Sequence, residues 1–240
     1  MAIILIGGEK GGSGKSTIAT SIAVAHATSG AATLLVDTDR QATSYYWALQ
    51  RRENEIEPPI DFIAEANTDN LGDDLMRFSE QYEQIIVDAG GIDSPQLRTG
   101  LICADVMLSP FQVSQFDVWT LQGLQHLIDH AQSARKQSNQ LPLQVLAVAN
   151  RISTNPTRAK KEREDASAML ADYTSLTLCN AMLSERSAFK DAASEGMSVA
   201  EYKPVDKKAI AELTELYHEV TNVIKATNQE RIKKRTARTA

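Results

Sequence analysis

Cysteine is nearly missing from this 240-residue chain. Only Cys103 and Cys179 occur, far apart and without metal-type spacing. That argues against a disulfide scaffold or an iron–sulfur cluster, points to a reducing cytoplasm, and leaves each cysteine as a small core residue. No apolar run approaches the length of a membrane span. The start, Met-Ala-Ile-Ile-Leu-Ile, lacks a basic leader and reads as a core strand, not a signal peptide. An overall basic excess is missing too, since the net charge is −6, so the whole chain is not a basic nucleic-acid binder. Neither an internal repeat nor a low-complexity linker divides the chain. With 42% hydrophobic and 23% charged residues, it fits one α/β domain with a sizeable core.

What the chain does have is concentrated near its start. Ile3 to Ile6 is an apolar run, Gly7 to Lys15 is glycine-rich, and Ile18 to Ser29 reads as a helix. Strand, glycine turn and helix are the setting a phosphate-binding loop requires. Backbone N–H groups of Gly11, Gly12, Ser13 and Gly14 can converge on one anion, aided by the positive end of the following helix. Lys15 can reach the outer phosphates, the Ser16 hydroxyl can hold Mg²⁺, and Thr17 completes the binding run.

The alternation of apolar runs and helix-like stretches continues down the chain. Strands are expected at Ala32 to Asp37, Ile60 to Ala64, Gln84 to Asp88, Asp105 to Pro110, Leu143 to Asn150 and Thr174 to Leu178. Helices are expected from Gln41 to Arg52, Asn70 to Ser79, Val118 to Gln137 behind an Asp117 cap, from Asn155-Pro156 onward, from Glu185 to Glu195, and from Asp206 through Ile224. The pattern predicts an α/β fold: a mostly parallel twisted sheet with helices on both faces, of P-loop NTPase type. Asp37, Asp39 and Asp88 fall at the ends of apolar runs, on the sheet edge where ligands bind. A capping role is the alternative for Asp37 and Asp39.

Two departures from the ordinary loop are informative. Glu9 stands where the strict motif has glycine, and a second lysine, Lys10, lies inside the loop. Lys10-Gly-Gly-Ser-Gly-Lys15-Ser-Thr resembles the deviant Walker A loop of the ParA/MinD family of ATPases. The resemblance runs from about residue 2 to about 222. It implies a Mg²⁺-dependent ATP hydrolase with a weak intrinsic rate, stimulated by a partner. Lys10 would reach across a homodimer to the nucleotide of the other subunit, so that ATP is sandwiched. Val36-Asp-Thr-Asp-Arg-Gln41 resembles the first switch: Asp39 would orient the attacking water and Asp37 would sit near the metal's water shell. Arg40 replaces the usual proline. Asp88, before Ala89-Gly90-Gly91, resembles the Walker B aspartate. Asn150 matches a position where related ATPases contact adenine with an amide; a strand-end cap is the alternative. Ser184 to Val199 looks like the C-terminal block of plasmid-type ParA proteins.

Three functions compete on this reading. The first is a small ParA-like ATPase of DNA or plasmid partition. Its ATP dimer binds DNA without sequence preference and is released when a ParB-like centromere-binding or cargo adaptor stimulates hydrolysis. The second is a MinD-like membrane-cycling regulator, and the third a nucleotide-dependent binding module without hydrolysis. Residues 226–240 are expected to form a basic, flexible tail behind a single ATPase domain at 1–225. The tail offers Arg231, Lys233, Lys234, Arg235 and Arg238 with only Ile232 as a large aliphatic residue. Charge without an anchor suits phosphate better than bilayer; a solvated end is the alternative. Arg186, Lys190, Lys203, Lys207 and Lys208 are further DNA candidates. The expected location is the cytoplasm, in association with the nucleoid. Because the chain starts directly at the loop, no helix-turn-helix is expected ahead of it, and sequence specificity would come from the adaptor.

Overall fold

The computed structural model describes residues 1–8, 11–64, 70–91, 94–113 and 118–239. Five short apolar segments make the centre of the molecule: β1 (Ala2–Ile6), β2 (Thr33–Asp37), β4 (Gln84–Asp88), β5 (Val106–Phe111) and β6 (Gln144–Ile152). Residues on both faces of these strands are buried, which is why they read as continuous apolar runs and not as alternating ones. The edge strands β3 (Asp61–Ala64), β7 (Thr177–Leu178) and β8 (Leu183–Ser184) are shorter. The order is β3-β2-β4-β1-β5-β6-β7, with β8 also on β6, and every described pairing is parallel.

Helices cover both faces, as the alternating pattern predicts. Ile3, Leu5, Leu34, Val36, Ile85 and Val87 point to one side. They pack there against α3 (Leu71–Phe78), α4 (Pro95–Cys103), α5 (Val118–Gln137) and α6 (Pro156–Leu170). Ala2, Ile4, Ile6, Leu35, Ile86 and Leu108 point to the other. Their partners are α1 (Lys15–Thr28), α2 (Thr43–Glu53), α7 (Ser187–Ser194) and α8 (Lys207–Thr239). The period-2 alternation of each strand thus feeds two separate cores. Cys179 lies within the second core and Cys103 packs against the first, as small apolar residues.

Three elements differ from the sequence reading. Helix α4 was not anticipated. Its signal is the Ser94-Pro95 pair, in which the Ser94 hydroxyl accepts a bond from Leu97 N and Pro95 opens the first turn. Strand β8 was missed because two residues carry no periodicity. Helix α8, expected to end at Ile224, continues to Thr239. The stripe Leu213, Leu216, Val220 and Ile224 is apolar and buried, and the same spacing then continues through Thr227, Arg231 and Lys234. Beyond Ile224 the helix is held by polar contacts, to which a search for apolar periodicity is blind. The Asp117 cap expected for α5 lies outside the described residues.

Candidate functional site

The carboxyl ends of β1, β2 and β4 stand side by side, with Ile6 in register with Asp88 and Asp88 in register with Asp37. The chain therefore leaves β1 at the same sheet edge as these two carboxylates. It turns through Gly12 at φ 75° and Gly14 at φ 97°, conformations that side-chain-bearing residues rarely adopt, and enters α1 at Lys15. Ser13 and Lys15 are buried. Burial holds the Lys15 ammonium below its ordinary value, while Asp88 and Asp39 pull it back up. The loop lysine and two of the candidate carboxylates thus share one electrostatic site. Glu9 and Lys10 lie outside the described residues.

Asp88 is fully buried, and its Oδ2 has no hydrogen-bond partner. Burial pushes its carboxyl up to about 7, and neighbouring Asp37 adds to this; the Ser16 and Ser44 hydroxyls and Lys15 act in the opposite sense. An orphaned carboxylate oxygen next to the Ser16 hydroxyl is a donor set suited to a hard cation such as Mg²⁺.

Asp37 is equally buried but has its acceptors engaged. Its Oδ1 receives Asp39 N at 2.9 Å, and its Oδ2 receives the Ser44 hydroxyl at 2.8 Å and Tyr45 N at 2.9 Å. The carboxylate closes the turn from β2 into α2, and also meets the positive end of that helix. Thr38 adds two bonds to the Asp88 carbonyl, at 2.9 Å from its N and 3.1 Å from its hydroxyl. Asp39 is half-buried, and its Oδ1 accepts Gln41 N at 3.0 Å. A Cβ on Gly90 would lie 3.4 Å from the Asp39 carboxyl carbon, so the turn after Asp88 runs close beside Asp39. Arg40 is exposed.

On the other side of the loop, a cleft of ≈620 Å³ is lined by Gly14, Thr17, Asn150, Arg151, Arg186 and Phe189, among others. Asn150 is buried in its wall and gives its Nδ2 to the Ser13 carbonyl at 2.7 Å. Sequence reasoning missed three polar residues of the site: Thr38 and Ser44 beside Asp88 and Asp37, and Gln112, whose Nε2 reaches the Gly12 carbonyl at 3.2 Å. Gln112 follows directly on β5, so its place at a strand's carboxyl end was the available signal.

The candidate DNA residues do not form one patch. Lys190, Lys203, Lys207 and Lys208 are exposed around the end of α7 and the start of α8. Arg186 is tied to Glu212 at 2.7 Å and lies 3.8 Å from Asp206. Arg231, Lys233, Lys234 and Arg235 sit at the far end of α8, about 40 Å of helix away. Arg231 pairs with Asp105 and donates to Asn228 Oδ1 at 3.0 Å, and Lys234 donates to the Asn139 carbonyl at 2.7 Å. Lys233 and Arg235 are exposed. No described helix is long and apolar enough to cross a membrane.

Solved structures share this architecture at low identity. Apo McdA from Cyanothece superposes with a TM-score of 0.72 at 18% identity, over 93% of this chain and 99% of McdA. MinD from Pyrococcus horikoshii OT3, complexed with Mg-ADP, gives 0.67 at 18% identity, over 94% and 98%. A plasmid partition protein from Borrelia burgdorferi gives 0.62 at 18% identity, over 92% and 98%. At such identity these likenesses establish the fold. A search of curated proteins found no match. The family model for the ATPase MipZ matches residues 2–229, nearly the whole chain. With a loop built on Lys15, carboxylates from β2 and β4 beneath it, and that match, the chain belongs to the MipZ family of ATPases, within the ParA/MinD group.

Proposed function

We propose that this protein is a ParA-type partition or positioning ATPase that couples ATP binding and hydrolysis to capture and release of DNA. The observation that carries the catalytic part is the convergence of Lys15, Asp39 and the orphaned Asp88 carboxylate at one strand edge. Backbone N–H groups of residues 11–17 receive the phosphates of ATP, with Lys15 on the outer ones. Ser16 and Asp88 would hold Mg²⁺, which would supply charge neutralisation of the phosphates. Asp37 fixes the turn that presents Asp39. Asp39 accepts a hydrogen bond from the attacking water, whose oxygen bonds the γ-phosphorus as the bond to the β–γ bridging oxygen breaks. ADP and inorganic phosphate leave. Asn150 would also contact the base from the cleft beside the loop. Lys10 would complete the site from the other subunit of an ATP-sandwich homodimer, a role that rests on the loop's resemblance alone.

DNA would be held by phosphate contacts and without base reading. Lys190, Lys203, Lys207 and Lys208 are the first proposed contacts, because all four are exposed and Lys190, on α7, also lines the cleft beside the loop, which would couple DNA contact to nucleotide. Arg186, Arg231, Lys233, Lys234 and Arg235 are further proposed contacts, of which Lys233 and Arg235 are exposed. A centromere-bound or cargo-bound adaptor would stimulate hydrolysis and release, in the cytoplasm at the nucleoid. The paired test is pelleting with DNA and with anionic liposomes, each with Mg-ATP, Mg-ADP and no nucleotide. ATP-dependent DNA binding that falls steeply with salt, and is lost in Lys15→Ala, is expected. ATP-dependent capture by liposomes with no DNA binding would replace this reading with a membrane-cycling one.

A further inference from the structure

The phosphate loop is gripped from outside by two side-chain amides carried on neighbouring strands. Gln112, after β5, donates Nε2 to the Gly12 carbonyl at 3.2 Å, and Asn150, in β6, donates Nδ2 to the Ser13 carbonyl at 2.7 Å. β5 and β6 are paired in parallel, with Phe111 in register with Ala149, so both amides project from one stretch of sheet edge.

The consequence follows from the geometry of the peptide unit. In a trans peptide the C=O and the following N–H point in opposite directions. A Gly12 carbonyl drawn outward turns the Ser13 N–H inward, and a Ser13 carbonyl drawn outward turns the Gly14 N–H inward. Those two N–H groups belong to the cradle that would face phosphate. Gly12 and Gly14 both have positive φ, and glycine's freedom would otherwise allow these peptides to turn over and present a carbonyl to the anion.

Asn150 is itself held in one orientation. Its Oδ1 accepts Arg151 N at 2.9 Å, from a residue whose φ of 54° curls the backbone back to reach it. The amide nitrogen lies over the α-carbon of Gly14, where a Cβ would stand 2.2 Å away. Glycine at position 14 is therefore required by the clamp as well as by the turn. With one N–H given to Ser13 and one lone pair of its oxygen taken by Arg151, half of the Asn150 amide is committed to the protein, leaving one N–H and one lone pair for any base.

We propose that Gln112 and Asn150 are positioning residues that pre-orient the N–H groups of the phosphate loop, and that the main contribution of Asn150 to nucleotide affinity runs through the loop and not through the base. This rests on the nucleotide reading given above. The test compares Mg-ATP with Mg-tripolyphosphate, which has the phosphates and no base, each measured by displacement of a fluorescent ATP analogue. Asn150→Ala is expected to weaken both by the same factor, about three- to tenfold, the worth of one net hydrogen bond. Gln112→Ala, at a more accessible position, is expected to do likewise, with circular dichroism and melting confirming the fold of each variant. If Asn150→Ala does not fold, Gln112→Ala and Gln112→Met, which keeps most of the length without the N–H and adds no charge, carry the test. Weaker ATP binding with unchanged tripolyphosphate binding would return Asn150 to base recognition and overturn the proposal, as would unchanged binding of both ligands. A wild-type protein that binds neither ligand would instead refute the nucleotide reading itself.

Discussion

Replacing Asp88 by asparagine should make the nucleotide-free protein more stable and the Mg-nucleotide complex weaker. The magnitude comes from burial. Asp88 is fully enclosed, one of its oxygens has no partner, and its carboxyl titrates at about 7 in the fold against 3.8 outside it. A gap of that size corresponds to about 4 kcal/mol. The native chain keeps its proton until pH approaches 7, whereas the unfolded chain has released it above pH 4. The folded state therefore binds more protons in that window, and stability must fall as pH rises through it, by up to about 1.4 kcal/mol per pH unit. Above pH 7 the full cost is present. Asparagine fills the same volume without ionising, so its profile lacks this fall. At pH 8 the variant should exceed the wild type by about 2–4 kcal/mol, allowing for one lost acceptor. For a domain of this size that is a rise in Tm of about 5–12 °C. Melting curves from pH 4.5 to 8.5 in EDTA would show the two profiles converging at low pH and separating above pH 5. Added Mg-ATP should raise Tm in the wild type much more than in the variant. Parallel pH profiles, or a less stable variant at pH 8, would refute the claim that Asp88 is a buried charge awaiting a cation.

Three other outcomes are expected. Asp39→Ala should retain ATP-dependent dimerisation, read by light scattering, while phosphate release slows by about a hundredfold or more; an unimpaired rate would remove Asp39 from its role. Arg51→Met should cost about 3 kcal/mol in urea unfolding, because Arg51 is only 2% exposed and forms a 2.7 Å ion pair with Glu201 that ties α2 to the segment before α8. The double variant with Glu201→Gln should recover part of that loss. His26 is buried against Tyr217, and its imidazole is pushed down to about 4 from 6.5. The unfolded chain takes up that proton first, so this contribution is complete above pH 6.5 and is lost as pH falls towards 4, about 3 kcal/mol in all. His26→Phe should flatten that acid limb and leave stability above pH 7 little changed.

How much of this was legible beforehand depended on whether a residue's role is local in sequence. The loop from Gly11 to Thr17 was legible because its glycines, lysine and hydroxyls act through the backbone of one contiguous turn. The five central strands were legible because burial on both faces leaves uninterrupted apolar runs, and Asp37 and Asp88 were placed at the edge because such runs end in a charge. Their division of labour was not legible. Asp37 and Asp88 follow the same Ile/Leu-Val-Asp pattern and lie in register, yet one has its oxygens bonded to Asp39, Ser44 and Tyr45 while the other has an oxygen bare. That difference arises from the path of the next few residues: β2 turns at once into α2 and folds its own N–H groups onto Asp37, whereas the Asp88 side chain lies under Ser16, far away in sequence. The basic residues show the same limit from the other side. Composition alone made Arg186 and Arg231 equivalent to Lys207 and Lys233, but Glu212 and Asp105 lie 26 and 126 residues from their arginines and engage them across the fold. A charge is available to a polyanion only after its internal partners are known, so tertiary pairing, not basic content, separates the exposed lysines at the α7–α8 junction from the arginines that hold the C-terminal helix to the body.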